Sequence, residues 1–173
     1  MLILKNFISE ALIKEALDTS EKSLEWESNS NFPTQLKQSM RYGGFEHVPY
    51  RLTANLKDYP IAKDFFYETF NNNDFFLEDT VYFSKYVSGS ECKEHVDPSN
   101  YTVIMLLKNP DLGGYLMLNK EKMQKVVLDV GDAVIFEGKT PHRITEVIKG
   151  TRIALTLWLN DIPKKYKIEL DKH

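Results

Sequence analysis

The chain has 173 residues, 42% of them hydrophobic, with 22 basic residues set against 25 acidic ones for a formal net charge of −3. That length and apolar content support one core without staples, and the even mixture of charge argues against a surface that tracks phosphates, so no nucleic-acid partner is expected. Cys92 is the single cysteine, which excludes an internal disulfide framework and a thiolate zinc cluster and fits a reducing cytoplasm.

In chain order, Met1-Leu2-Ile3-Leu4 is too short an apolar run for a signal peptide or a membrane span, so no membrane association is expected. Ser9 suits a helix N-cap, and Leu12, Ile13, Ala16 and Leu17 repeat after it at helical spacing. From about 20 to 50 the chain is rich in Ser, Asn and Gln and reads as a loop able to cover a pocket. A second helix is expected from near Asp58, with Pro60 in its first turn, through Ile61, Phe65, Phe66 and Phe70 to a stop at Asn71-Asn72-Asn73, its aromatic face on a sheet.

Beyond Phe75 the pattern changes to short runs of Val, Ile, Tyr, Phe and Thr between turn residues, as in an all-β sandwich or barrel. Strands are expected around Thr80–Val87, Tyr101–Leu107, Tyr115–Leu118, Lys125–Leu128, Ala133–Phe136, His142–Val147 and Thr151–Asn160. The whole, 1–173, reads as a single soluble α+β domain: a helical and loop support region over 1–74 and a jelly-roll core over 75–163. Helices should pack on one sheet.

His95-Val96-Asp97 places two ligand-type side chains at i and i+2, on the same side of an extended backbone. Alone this is weak, and a loop carboxylate beside a surface histidine is the ordinary explanation. His142 completes two imidazoles and one carboxylate, the ligand set of non-haem Fe(II) oxygenases, with three coordination positions left open. The segment that follows tests the idea. If Ile148-Lys149-Gly150 is a three-residue hairpin loop with Gly150 left-handed, then Val147 pairs with Thr151, Glu146 with Arg152 and His142 with Thr156. On that register Arg152, Ala154, Thr156 and Trp158 share a face with His142, where the guanidinium can grip a carboxylate in two-pronged fashion. The competing use of Arg152 is a surface ion pair with Glu146.

His95-x-Asp97, His142, Gly150-x-Arg152 and Trp158, with Tyr86-Val-Ser-Gly89, Gly113-Gly114-Tyr-Leu and Thr151-Arg-Ile-Ala-Leu-Thr-Leu-Trp158, resemble the 2-oxoglutarate/Fe(II)-dependent dioxygenases, and more narrowly their prolyl hydroxylase branch. The resemblance implies a double-stranded β-helix (jelly roll) with N-terminal helices packed on one sheet. It also implies Fe(II) on His95, Asp97 and His142, 2-oxoglutarate anchored by Arg152, and O2 as oxidant, with ascorbate as an accessory candidate. Tyr86 matches a tyrosine near the chelating end of 2-oxoglutarate, with a core role as the alternative. Thr156 and Trp158 match pocket residues of the last strand, or else pack.

One departure stands out. Many prolyl hydroxylases carry a tyrosine on the strand after His-x-Asp that helps the arginine, whereas this chain has Met105-Leu106-Leu107-Lys108, leaving Thr156 or Tyr82 as substitutes. The implied reaction is hydroxylation of a C–H bond in a peptide, protein or small-molecule substrate, with release of succinate and CO2. Asp97 argues against halogenation, and Trp158 stands where related nucleic-acid demethylases have a second arginine. The alternatives are the same chemistry on a free amino acid or small metabolite, or a jelly-roll module that binds metal or ligand without turnover.

Overall fold

A computed structural model of the protein describes residues 1–22, 27–28, 50–55, 60–70, 80–119 and 122–172. His47, Asp58, Asn71 to Asn73, His173 and most of the expected loop cover lie outside them. In chain order the elements are β1 (Leu2–Leu4), α1 (Glu10–Lys22), β2 (Glu27–Ser28), β3 (Tyr50–Asn55), α2 (Pro60–Phe70), β4 (Thr80–Val87), β5 (Cys92–His95), β6 (Tyr101–Lys108) and β7 (Leu112–Gly113). There follow β8 (Leu116–Asn119), β9 (Met123–Val126), β10 (Ala133–Glu137), β11 (His142–Ile144), β12 (Val147–Lys149), β13 (Thr151–Leu159) and α3 (Lys164–Leu170).

Both expected helices form. The Ser9 hydroxyl accepts the Leu12 N–H at 3.2 Å, satisfying one donor of the first turn of α1. Pro60 opens α2, where its missing N–H costs nothing. The strands group into a seven-stranded sheet in the order β1-β10-β6-β13-β4-β3-β2, a four-stranded sheet β5-β11-β8-β9 and a short pair β12-β7. Two sheets closing over one another make the double-stranded β-helix that the sequence implied.

The first third departs from expectation. Besides helix and loop it contributes β1, β2 and β3, all of which extend the large sheet. Leu2, Ile3 and Leu4 pair with Ile135, Val134 and Ala133; a three-residue run carries too little periodicity to be distinguished from a loop. Likewise α3 lies beyond the expected end of the core.

Period-2 alternation builds two cores from the large sheet. Ile153, Leu155, Leu157 and Leu159 of β13 join Val103 and Met105 of β6 beneath Leu12 and Ala16 of α1, Phe66 and Phe70 of α2 and Leu170 of α3. Each fully buried side chain of this kind contributes roughly 1.5–3 kcal/mol. The opposite face, through Tyr86, Ile104, Leu106, Val134, Phe136 and Ala154, meets Cys92, Leu116, Leu118, Val126 and Ile144 of the smaller sheet. The functional side chains sit between the sheets.

A polar clamp fixes the N-terminal strand. The Lys5 ammonium contacts Asp129 at 2.8 Å and Asp132, and the Asp132 carboxylate also accepts the Asn6 N–H at 3.0 Å and the Asp129 N–H at 2.8 Å. Burial alone would raise the Asp132 carboxyl, but Lys5 and the two N–H groups outweigh it and hold it below its usual value. A carboxyl depressed on folding contributes stability that is complete above its unfolded pKa, about 3.9, and is lost as pH falls through the folded value. Asp132→Asn will therefore flatten the fall of melting temperature with acid below about pH 4. Melts of both proteins from pH 7 downwards check this, and parallel acid limbs would remove the clamp from acid stability.

Candidate functional site

Antiparallel pairing of β5 with β11 sets His142 opposite His95, with ring centroids 4.2 Å apart. The same pair matches Ile144 with Cys92, so β5 carries an extra residue, a bulge that turns the strand end at His95. Asp97 follows in a segment laced to the β10–β11 turn: its N–H donates to the Gly138 carbonyl at 2.8 Å, and the Gly138 N–H donates to the Asn100 carbonyl at 2.8 Å. Position 138 must be glycine for this approach, since a Cβ there would lie 2.2 Å from the Ser99 carbonyl oxygen.

These constraints bring one ligand-type atom from each of His95, Asp97 and His142 within 4.8 Å of one another. His142 Nε2 is 3.4 Å from Asp97 Oδ2, and His95 Nε2 is 3.9 Å from Asp97 Oδ1. Asp97 and His142 are each 3% exposed, so water competes little for the space between them.

Backbone carbonyls set the tautomers. His95 Nδ1 lies 2.8 Å from the Lys93 carbonyl oxygen and His142 Nδ1 lies 2.9 Å from that of Thr140. A carbonyl can only accept, so each Nδ1 carries a proton, and Nε2 is the nitrogen that each ring can offer to a metal ion beside the carboxylate. Two such nitrogens and an anionic oxygen on one side of a common centre suit a divalent iron with coordination positions to spare.

Thr102 was not legible as part of this site. Its hydroxyl donates to Asp97 Oδ2 at 2.6 Å, with the Ser99 hydroxyl 3.3 Å behind it. In sequence it is an ordinary strand threonine, and only the packing of β6 beneath the loop reveals its partner. Thr102→Val removes the donor at constant shape and will weaken divalent-metal binding by about 10–100-fold, the usual effect of losing a group that orients a ligand. Thr102→Ser will restore it. Mn(II) titration followed by electron paramagnetic resonance measures both, and equal affinities for all three proteins would refute the role.

The facing wall comes from β13 and β4. Arg152 pairs with Tyr86, Ala154 with Ser84 and Thr156 with Tyr82, while Trp158 pairs with Thr102 of β6. Alternation sends Arg152, Thr156 and Trp158 into one cavity with Tyr82, Ser84, Tyr86, Cys92, His95, Asp97 and His142. The expected hairpin is not there. β11 pairs with β5 and β8, β12 with β7, and β13 with β4 and β6. Neither Glu146 with Arg152 nor His142 with Thr156 is a strand pair. Gly150 is left-handed as expected, with φ 89°, but it turns the chain from one sheet into the other. Arg152 and His142 face the same interior because they look at each other across two sheets, not along one.

Arg152 is 3% exposed, and no carboxylate among the described residues pairs with it. Burial lowers its pKa, with Tyr86 and Cys92 acting in the opposite direction, yet a guanidinium remains cationic. A buried cation without an anion is costly, which marks the place where an anionic ligand is expected. Tyr86 stands beside it, with the guanidinium carbon 5.7 Å from its ring centroid. Burial pushes the Tyr86 hydroxyl well above its ordinary value, chiefly by desolvation, with Cys92 adding to the effect. It therefore stays protonated. The Cys92 thiol, 3.6 Å from His95 Nδ1, is pushed up by burial to about 12 and is likewise neutral.

Tyr82 packs on Trp158 with ring centroids 4.4 Å apart, forming the wall beside Asp97. At the place of the tyrosine that the family resemblance led one to look for, β6 turns Leu106 inward and Met105 and Leu107 towards the helices. Thr156 and Tyr82, the named substitutes, both line the cavity.

A jelly roll with two imidazoles and a carboxylate at one point and a buried arginine at another is an arrangement that could hold a metal ion beside an acidic ligand. Residues 81–160 match the family model of the 2OG-Fe(II) oxygenase superfamily. The fold is similar to a prolyl hydroxylase from Trichoplax adhaerens in complex with a hypoxia inducible factor oxygen degradation domain peptide fragment, at 18% identity over 97% of this chain and 86% of that one, TM-score 0.61. It is also similar to a Pseudomonas putida prolyl-4-hydroxylase, at 15% identity over 91% and 90%, TM-score 0.56, and to a viral collagen prolyl hydroxylase from Paramecium Bursaria Chlorella virus-1, at 13% over 94% and 96%, TM-score 0.55. No curated protein sequence matches the chain. The match of residues 81–160 is to a 2OG-Fe(II) oxygenase domain, the fold is prolyl hydroxylase-like, and His95, Asp97 and His142 are a set that could hold a metal ion. No helix among the described residues is long and apolar enough to cross a membrane.

Proposed function

We propose that the protein is a hydroxylase of a C–H bond, most simply of a prolyl residue in a peptide, with His95, Asp97 and His142 holding Fe(II) and Arg152 holding the distal carboxylate of 2-oxoglutarate. The observation that carries this reading is the pairing of a convergent His-Asp-His set with a buried guanidinium that has no carboxylate partner among the described residues. Bound Fe(II) with 2-oxoglutarate and O2 supplies the oxidising chemistry, releasing succinate and CO2 as one oxygen atom enters the substrate.

The protein's own side chains prepare that chemistry. Asp97, held by Thr102, gives the carboxylate, and the two Nδ1–H groups, held by backbone carbonyls, align both rings with Nε2 turned to the common centre. Tyr86 offers a protonated hydroxyl to the chelating end of the co-substrate, and Thr156 a second hydroxyl near its distal end. Trp158 and Tyr82 wall the centre and exclude water. A peptide substrate accords with the Trichoplax enzyme, whose partner is a peptide fragment, and with the name of the viral collagen prolyl hydroxylase.

Two measurements test the proposal in order. Anaerobic addition of Fe(II) and 2-oxoglutarate to apoprotein will produce a visible metal-to-ligand absorption band, and its absence would set aside the ligand assignment. Prolyl peptides and free amino acids offered to the loaded enzyme will then separate the substrate classes by which of them gains an oxygen atom in mass spectrometry. Gain on free amino acids alone would replace the peptide reading.

A further inference from the structure

Arg152 borders two spaces. On one side is the cavity of about 50 Å3 that it shares with His95, Asp97 and His142. On the other is an outer cleft of about 320 Å3, lined by Asn109, Asp111, Gly114, Lys125, Asp129 and Arg152 itself, among others. Gly114 leaves the arginine stem bare to this cleft, since even a Cβ there would only just touch Arg152 Cδ, at 3.5 Å. The two carboxylates along the cleft already have cations, Asp111 with Lys149 at 3.4 Å and Asp129 with Lys5 at 2.8 Å. Lys125 lies over the Tyr115 ring, 3.3 Å from its centroid. The cleft therefore offers a retreating guanidinium room and no new ion pair that would trap it.

The inner cavity is small, Arg152 is the one Lys or Arg among its described lining residues, and the same arginine separates it from the outer cleft. We propose that the co-substrate site also accepts 2-oxodicarboxylic acids one methylene longer than 2-oxoglutarate, with Arg152 withdrawing into the outer cleft to follow the distal carboxylate. This rests on the reading of Arg152 as the co-substrate anchor. The added methylene moves that carboxylate by less than one carbon–carbon bond, about 1.5 Å. The unbranched arginine stem can absorb that by a change among staggered rotamers, and the charged two-pronged contact moves with it.

The test is binding of 2-oxoglutarate and of 2-oxoadipate to the Mn(II)-loaded full chain, by calorimetry and by tryptophan fluorescence, which Trp158 in the cavity wall is placed to report. Asn109, exposed and lining the cleft, is replaced by Trp to fill the retreat space without disturbing the core. The expected result is a 2-oxoadipate Kd within about tenfold of that for 2-oxoglutarate, and a further loss of at least tenfold for 2-oxoadipate alone in Asn109→Trp. Tight 2-oxoglutarate binding with 2-oxoadipate more than tenfold weaker overturns the proposal and leaves the anchor assignment intact. So does an equal effect, or none, of Asn109→Trp on the two acids. If neither acid binds, the anchor assignment itself fails, and the proposal with it.

Discussion

Asp97→Ala will lose divalent-metal binding by more than about 100-fold and reduce succinate formation to the level of a protein-free control. Loss of a group that only orients a ligand costs about 10–100-fold in affinity, and removal of the ligand costs more. Two imidazoles 4.2 Å apart at their centroids would remain, without the carboxylate oxygen that balances the ion's charge. The fold should survive. Asp97 is a buried carboxylate whose backbone contact, the N–H to the Gly138 carbonyl, does not depend on its side chain. Thr102 keeps the Ser99 hydroxyl as a neighbour. Mn(II) calorimetry beside a thermal melt separates the two effects, and an unchanged metal affinity in a folded variant would remove Asp97 from the centre.

Arg152→Leu will raise the 2-oxoglutarate Kd by roughly 30- to 4000-fold, corresponding to the 2–5 kcal/mol typical of cutting one partner out of a buried charge pair. The ligand's distal carboxylate would then be desolvated in the cavity with no cation to receive it. Metal affinity without co-substrate should change little, because the arginine lies on the large sheet and the ligands on and beside the small one. The metal-free protein should melt no lower, since an unpaired buried cation gives way to an apolar side chain. Co-substrate titration of the Mn(II)-loaded variant decides the matter. A Kd within a few-fold of the parent would mean that Arg152 is a structural cation only.

Much of this was open to reading along the chain because it depends on local pattern. The β-rich apolar run in 151–159 reads as a strand, and the 12, 13, 16, 17 spacing after Ser9 reads as a capped helix. The ligand types were legible because few side chains bind a hard or borderline divalent ion, and His-x-Asp with a distant His is a restricted combination. Boundaries were less so. Expected Tyr115–Leu118 and Lys125–Leu128 are observed as Leu116–Asn119 and Met123–Val126, displaced by one and two residues, because the apolar pattern marks a strand's faces more sharply than its ends.

What the residues determined by themselves is chemistry and face: which side chains can bind a metal or a carboxylate, and which of their neighbours along a strand share their side. What only the tertiary structure decided is which strands meet. His142 and Arg152 were expected to be neighbours along one hairpin, yet β11 and β13 lie in different sheets, and the two residues meet across the interior. Thr102 gained a role because β6 passes beneath the Asp97 loop, and the cleft behind Arg152 is lined by residues of 106–116 and 125–129, which only the fold brings beside residue 152. Strand pairing is selected by the summed burial of whole faces, a non-local quantity that no window of sequence contains.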